Sequence, residues 1–452
     1  MLEKGKIYTA EIIDVNNLGD GIARIDNMVV FVKGGVTGDL CELKIIKLTK
    51  SYAVAAIDKL ITPSVHRCEN DCPAYKRCGG CISRHIDYEY ELKLKRSFVE
   101  SAFRRAGICD ITIHNVTSTG IIDSYRNKAQ YPVGIDKKTG DIKIGFYAGR
   151  THEIADIDSC RLAPEVFDKI VGAVREFLSK YKVSVYDEET KRGCVRHIYL
   201  RQGEKTESVM LCLVVCDSFK LKNEFVSFMR NAVPEITGIL LNENKKDTNV
   251  ILSDKYELLW GDGYITDELC SRAFKISAGA FYQVNRAAAE LLYKKAGELA
   301  AVKDGDVLVD LYSGVGTVGM SIADRNTKLY GVEIVPEAID NAKENAKLNG
   351  FENAKFLAAD ASNFDSFIND RGEGELIIVV DPPRKGLSPK VIGDIAKNEP
   401  SRVVYISCNP DTLARDVVEF RKYGFDTNEV FPFDLFPRTG HCESVLRLSR
   451  EK

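Results

Sequence analysis

The sequence predicts an α/β Rossmann-like domain built on a doubly wound sheet. An N-terminal β-barrel and a mostly antiparallel α+β central domain carrying a metal cluster precede it. Three observations predict this. First, helix and strand alternate from about Phe274 onward: a helix over 285–300, strand VLVDL, a glycine loop and helix, strand KLYGVE, a helix over 336–349, strands AKFLAAD, LIIVVDPP and RVVYISCN, and a last strand near 444–448. Repeated β-α-β units bury a parallel sheet between helices. Second, residues 1–60 hold five short strands parted by Leu18-Gly19-Asp20-Gly21 and Gly34-Gly35, the pattern of a small closed barrel of the oligonucleotide-binding kind. Third, Cys68, Cys72, Cys78 and Cys81 crowd one irregular loop. In a cytosolic chain such a cluster points to metal rather than disulfides.

The remaining elements follow in order. A helix over 88–105 carries Leu92, Phe98, Val99, Ala102 and Phe103 at helical spacing. Residues 125–260 read as antiparallel strands interrupted by a helix over 164–178. The expected domains are therefore a barrel over 1–60, a central domain over 61–270 and a Rossmann-like domain over 271–452.

Composition narrows the class. With 44% apolar and 29% charged residues the chain reads as a soluble globular protein. No apolar run is long enough to span a bilayer, and the opening MLEKGKIYTA lacks the apolar stretch of a secretory signal. A cytoplasmic location and no membrane partner are expected. The net charge of −3 argues against a generic polyanion binder, yet charge is uneven. Arg126, Lys128, Lys137, Lys138, Lys143 and Arg150 fall in one stretch, and Lys191, Arg192, Arg196 and Arg201 in another. Solvated strand edges and an RNA-facing surface both fit.

Four motifs carry chemistry. In VLVDLYSGVGTVG a strand runs into Gly314-x-Gly316-x-x-Gly319 and a helix. Glycines let the backbone approach a ligand, and the helix start offers free N–H groups. Glu333 closes the next strand, placed to hold ribose hydroxyls. A dinucleotide would suit this pattern almost as well as S-adenosylmethionine; Asp310 before the loop, and Asp360 at the end of a third strand where an adenine amino group would bind, favour the latter. Asp381-Pro382-Pro383-Arg384 is a rigid strand exit that presents polar groups to a planar base or amide. Ser407-Cys408-Asn409-Pro410 puts a thiol at the same edge. Carbon 5 of uracil is a poor nucleophile until a thiolate adds to carbon 6, so Cys408 beside a methyl donor points to covalent catalysis on uridine. The carbon 5 proton must then leave, and Glu443 in His441-Cys442-Glu443 is the candidate base. Finally, Cys72, Cys78 and Cys81, with Cys160 as the chosen fourth ligand, would suit either a [4Fe–4S] cluster or zinc.

With these residues in view, the chain resembles the RNA (uracil-5-)-methyltransferase family, in particular its bacterial 23S ribosomal RNA branch, over nearly its whole length. DPPRKGL, ISCNPxTLARD and the closing HxE are the specific matches. The resemblance implies an S-adenosylmethionine-dependent Rossmann-like methyltransferase domain and a TRAM domain over 1–60. It implies a [4Fe–4S] cluster on CPAYKRCGGC and Cys160, and an RNA-contact strand at Ser124–Lys128. It also implies that Gln283, in Phe281-Tyr282-Gln283-Val284-Asn285, contacts S-adenosylmethionine, and that Tyr312, Glu333, Asp360 and Asp381 line the cofactor and base pocket. The implied partner is RNA, with 23S rRNA favoured and tRNA the alternative. Ser313, Cys442 and Arg438 depart from the family pattern, the last bearing on local pocket charge.

Overall fold

A computed structural model describes residues 2–149, 151–368 and 374–450. Its N-terminal part is a curled sheet of six strands. Their order is Ile7–Glu11, Leu40–Leu48, Tyr52–Thr62, Met28–Lys33, Asp20–Ile25 and Asp14–Val15. The two outer strands, Ile7–Glu11 and Asp14–Val15, are one bent stretch of chain: between them Ile12 N donates to the Asp39 carbonyl at 2.9 Å and Ile13 N to the Ile22 carbonyl at 2.7 Å, so the sheet curls round on itself in the manner expected from the glycine spacing. Register shifts between Leu40–Leu48 and Tyr52–Thr62 bend the longest pair, as extra residues in one strand do. Alternate residues (Val30, Val32, Leu43, Ile45, Ala53 and Ala55) fill the concave side.

The central sheet has seven strands, antiparallel except where Val209–Val215 pairs parallel with Ile236–Glu243. The helices Glu165–Lys180 and Lys222–Ala232 cover one face, burying Phe177, Phe225 and Met229 against Leu211, Leu213 and Val215. The opposite residues Met210, Cys212 and Val214 enter a second core with Leu292 and Tyr293. Burial on both faces is why VMLCLVV is an unbroken apolar run.

The third sheet runs in the order Ala354–Ala358, Lys328–Glu333, Val307–Leu311, Leu376–Val380, Arg402–Ser407, Glu443–Arg450, Glu429–Phe433 and Thr112–Ile113. The first five are parallel to one another. Glu443–Arg450 is antiparallel to its neighbours. The helix Tyr88–Arg105 packs here and not on the central sheet: Val99 and Phe103 share a core with Val307, Val403 and Leu446. Its chain continues into Thr112–Ile113, which adds an edge strand beside Glu429–Phe433. Residues 88–113 thus contribute to the sheet of the C-terminal part.

Candidate active site and cysteine cavity

The strand order turns back on itself at Val307–Leu311, whose neighbours on the two sides are reached by opposite crossovers. Ligands of such sheets bind where the carboxyl ends part at that point. Tyr312 leaves the strand with a φ of 69°, Gly314 with 53° and Gly316 with 83°. The tyrosine is held in this costly left-handed conformation by the Val332 carbonyl, which accepts from the N–H groups of Tyr312 and Ser313 at 2.9 and 3.0 Å. A Cβ on Gly314 would meet nothing within 4 Å, so the loop opens freely to the crevice. The Glu333 carboxylate accepts from Gly314 N at 3.2 Å and from Val335 N at 2.9 Å, bracing loop and strand end together. Asp360 follows the next strand, is exposed, and caps a short 3-10 turn through Ser362 N at 2.9 Å. Gln283 is buried on the far side; its backbone oxygen accepts from Asn127 Nδ2 at 2.8 Å.

Two buried groups beneath this crevice complete it. Tyr293 was not singled out from sequence; its ring interacts with Gln283 and Thr317 and faces Asp381. Its only sequence signal was a phenol on an otherwise apolar helix face. Asp310, 1% exposed, accepts from Gly319 N at 2.7 Å, and no side chain larger than glycine fits there, because a Cβ would lie 2.9 Å from its Oδ2. Burial pushes its pKa up to about 8 from an ordinary 3.8. A carboxyl whose folded pKa is raised adds stability while protonated and loses it as pH climbs through the folded value. Asp310→Asn keeps an acceptor for Gly319 without the charge. Its unfolding free energy should gain on the parent's between about pH 4 and about pH 8, by at most about 1.4 kcal/mol per pH unit. Denaturant titrations at the two ends of that range measure it; a pH-independent difference would mean that Asp310 does not titrate there.

At the neighbouring strand ends stand Asp381, after Leu376–Val380, and Cys408, after Arg402–Ser407. The last ladder contact of the antiparallel pair is Ser407↔Ser444, so the next residues outward, Cys408 and Glu443, face each other across the strands. Burial, then repulsion by Glu443 and Asp381, raises the Cys408 thiol to about 11, and Arg384 opposes the rise. Burial lifts Asp381 to about 7. Burial and then Asp381 push Glu443 well above its ordinary range, again against Arg384. Three acids therefore share a confined space with one guanidinium. Arg384 also donates to His441 Nε2 at 3.1 Å; burial followed by Arg384 holds that imidazole near pKa 4, so it is the neutral acceptor. Asn409 and Thr412 donate to the Arg384 carbonyl at 3.0 and 3.3 Å. Asp416 accepts from Leu387 N at 2.8 Å and from Tyr405 OH at 2.6 Å. The DPPRKGL and ISCNPxTLARD motifs are thus halves of one clamp.

Cys72, Cys78, Cys81 and Cys160 line a single cavity of about 280 Å³ together with Arg84, Arg126 and Lys128. Cys68 stands outside it, its Sγ donating to the Arg84 carbonyl at 3.4 Å. Among the described residues no three His, Cys, Asp or Glu side chains converge as a single metal ion requires. Four thiols are a donor set that either a [4Fe–4S] cluster or a zinc ion takes. Of the basic residues in the lining, Arg84 is already paired with Asp71 and Asp123 at 2.8 and 2.7 Å, and burial, then Arg201 and Arg126, lowers Lys128 to about 7.

The basic stretches divide differently from expectation. Arg201 is buried and donates to Tyr199 OH and the Ala280 carbonyl, at 2.7 and 2.6 Å. Arg196 is buried on the carbonyls of Lys246 and Thr248. Lys137, Lys143 and Lys191 pair with Glu189, Asp136 and Asp247. Arg150 lies outside the described residues. These arginines are scaffold, because an arginine in an apolar strand finds carbonyls to satisfy rather than phosphates. Arg438 likewise does not enter the pocket: it is buried against Glu91 and backbone carbonyls.

The chain is 38% identical over 453 residues to an uncharacterized RNA methyltransferase of Clostridium acetobutylicum, covering 99% of this chain and 98% of that one. It is 37% identical over 449 residues to another from Halalkalibacterium halodurans, with 99% and 98% covered. A tRNA (Uracil-5-)-methyltransferase family model matches residues 239–451, and a TRAM domain model residues 2–57. The chain belongs to the RNA (uracil-5-)-methyltransferase family. A crystal structure of the Pyrococcus abyssi tRNA (uracil-54, C5)-methyltransferase, in complex with S-adenosyl-L-homocysteine, superposes with a TM-score of 0.76 at 26% identity, covering 97% of this chain and 99% of that one. This methyltransferase is an S-adenosylmethionine-dependent enzyme that methylates carbon 5 of uracil in RNA, with a TRAM domain at its front. Among its described residues no helix is long and apolar enough to cross a membrane.

Proposed function

We propose that Cys408 is the nucleophile and Glu443 the general base of this uracil methylation, and that the RNA is 23S rRNA. The observation that carries the reaction is the pairing of Cys408 with Glu443 across antiparallel strands, beside Asp381 and the glycine crevice. The target uridine must leave its stack to expose carbon 6. Cys408 gives up its proton to the Asp381 carboxylate and its sulfur bonds to carbon 6, while the carbon 5–carbon 6 π electrons move to carbon 5 as enolate density. S-adenosylmethionine supplies the methyl group as an electrophilic sulfonium. Carbon 5 bonds to the methyl carbon as the methyl–sulfur bond breaks. Glu443 then takes the carbon 5 proton, the carbon 5–carbon 6 double bond re-forms, and the Cys408 sulfur leaves. Arg384 steadies whichever of the three neighbouring acids is ionised. Gln283, Tyr312, Gly314, Gly316, Glu333, Asp360 and Asp381 would hold the donor and the base, and Cys72, Cys78, Cys81 and Cys160 a [4Fe–4S] cluster.

Support for 23S rRNA is the likeness of the cysteine motif and TRAM arrangement to that branch. A second reading, tRNA, is favoured by the near-complete overlap with the archaeal tRNA enzyme. Mass spectrometry of nucleosides from a deletion strain separates them. The expected result is 5-methyluridine lost from 23S rRNA and kept in tRNA; the reverse pattern overturns the assignment.

A further inference from the structure

The Glu443 carboxyl is governed by burial, Asp381 and Arg384, and among the described residues no hydrogen bond holds it. Its backbone is set by the strand pairs Glu443↔Phe433 and Ser444↔Ser407 and by the segment that leads into it, 434–442. That segment is gripped from every part of the molecule. Lys95, on the helix Tyr88–Arg105, donates to Asp434 Oδ1 at 2.7 Å and to the Phe436 carbonyl at 3.0 Å. Tyr125 donates to the Pro437 carbonyl at 2.9 Å, and Asn285 to that of Leu435 at 3.2 Å. The cysteine-rich loop takes the next residue: Ile82 N donates to the Arg438 carbonyl at 2.9 Å. Arg438 Nη1 donates back to the carbonyls of Ile86 at 2.9 Å and Ser83 at 3.5 Å. Glu91 accepts from Arg438 N at 2.7 Å and from its Nη1 at 3.2 Å. Arg438 holds a φ of 70°, a conformation that costs a non-glycine residue energy and persists only when surroundings impose it.

The N-terminal sheet closes the grip. A Cβ on Gly440 would lie 1.9 Å from the Asn17 carbonyl oxygen and 2.9 Å from Ile82 Cδ1. A Cβ on Gly19 would lie 2.7 Å from Ile82 Cβ. The TRAM loop, the residue after Cys81 and the segment before Glu443 are in three-way contact with no space for one methyl group.

We propose that Arg438 and Gly440 are positioning residues for Glu443, and that through them the TRAM loop and the cysteine-rich loop complete the catalytic centre. The front of the chain then serves proton removal as well as RNA binding. This rests on Glu443 being the base, so the experiment includes that residue. Full-length enzyme is mixed with bulk RNA from a deletion strain and tritiated S-adenosylmethionine, and SDS-resistant protein–RNA adduct is followed through a single turnover. Glu443→Gln should form methylated adduct and release it slowly. Gly440→Ala should do the same: adduct forms within about threefold of the parent rate and is released at least roughly tenfold more slowly, a fraction of what a general base contributes. Arg438→Gln, which adds no bulk, should show the same split if Gly440→Ala does not fold. Parent-like release by folded Gly440→Ala or Arg438→Gln, with Glu443→Gln stalled, overturns the positioning role. Equal loss of adduct formation and RNA affinity in those variants also overturns it, assigning the clamp to RNA binding. Unstalled Glu443→Gln overturns the choice of base itself.

Discussion

Cys408→Ala is expected to abolish methyl transfer, lowering turnover at least about 10⁴-fold, because no other step replaces the covalent activation of carbon 5. Affinity for S-adenosylmethionine should stay within about threefold, since the crevice that would hold it is built from the ends of other strands. The parent enzyme should form an SDS-stable adduct with RNA containing 5-fluorouridine, because fluorine cannot leave as a proton, and the variant should form none. Near-normal turnover by the alanine variant would remove Cys408 from the chemistry. Its thiol is raised to about 11 in the free protein, with Arg384 opposing the rise. The same burial that disfavours thiolate raises Glu443 and Asp381, so all three compete for protons in one place.

The second large effect is expected at the cysteine cavity. Anaerobically purified protein should contain about four irons per chain. Cys72→Ser, Cys78→Ser, Cys81→Ser and Cys160→Ser should each lose iron, whereas Cys68→Ser should keep it, because its sulfur is turned to the Arg84 carbonyl outside the cavity. Iron and sulfide analysis with the visible absorption spectrum would measure this. Stoichiometric zinc without iron, or a full cluster in Cys160→Ser, would refute the ligand set. Cys81 is followed directly by Ile82, which contacts both Gly440 and Arg438. Loss of the cluster should therefore also slow adduct release, a coupling that a remote cluster would not produce.

Much of the site was legible in the sequence because it sits on local patterns. VLVDL, LIIVV and VVYIS are unbroken apolar runs, as strands buried on both faces must be. The residue that ends each run, or closely follows it, necessarily lies at one sheet edge. Tyr312, Asp381 and Cys408 could be placed at that edge from sequence alone. The cysteine spacing likewise put three thiols in one loop. Other features were illegible for equally physical reasons. A sequence states that Arg196 and Arg201 are charged but not that carbonyls lie beside them, so solvated strand edges and an RNA-facing surface both fitted and a buried scaffold role was not legible. Glycine spacing marked the turns of the first sixty residues but not that residues 7–15 bend to pair with both Leu40–Leu48 and Asp20–Ile25.

By itself, then, the sequence determined the strand-helix alternation, the glycine crevice, the thiol at a strand end and the cysteine-rich loop, all set by neighbours a few residues apart. The tertiary structure alone decided the rest. It turned Glu443–Arg450 antiparallel so that Ser444 meets Ser407 and Glu443 faces Cys408. It joined the helix Tyr88–Arg105 to the C-terminal sheet, brought Cys160 to the loop cysteines while leaving Cys68 out, and pressed Asn17 against Gly440. Each of these is a contact between segments far apart in the chain. Strand register and domain packing follow from how whole faces bury one another, and no local spacing encodes them.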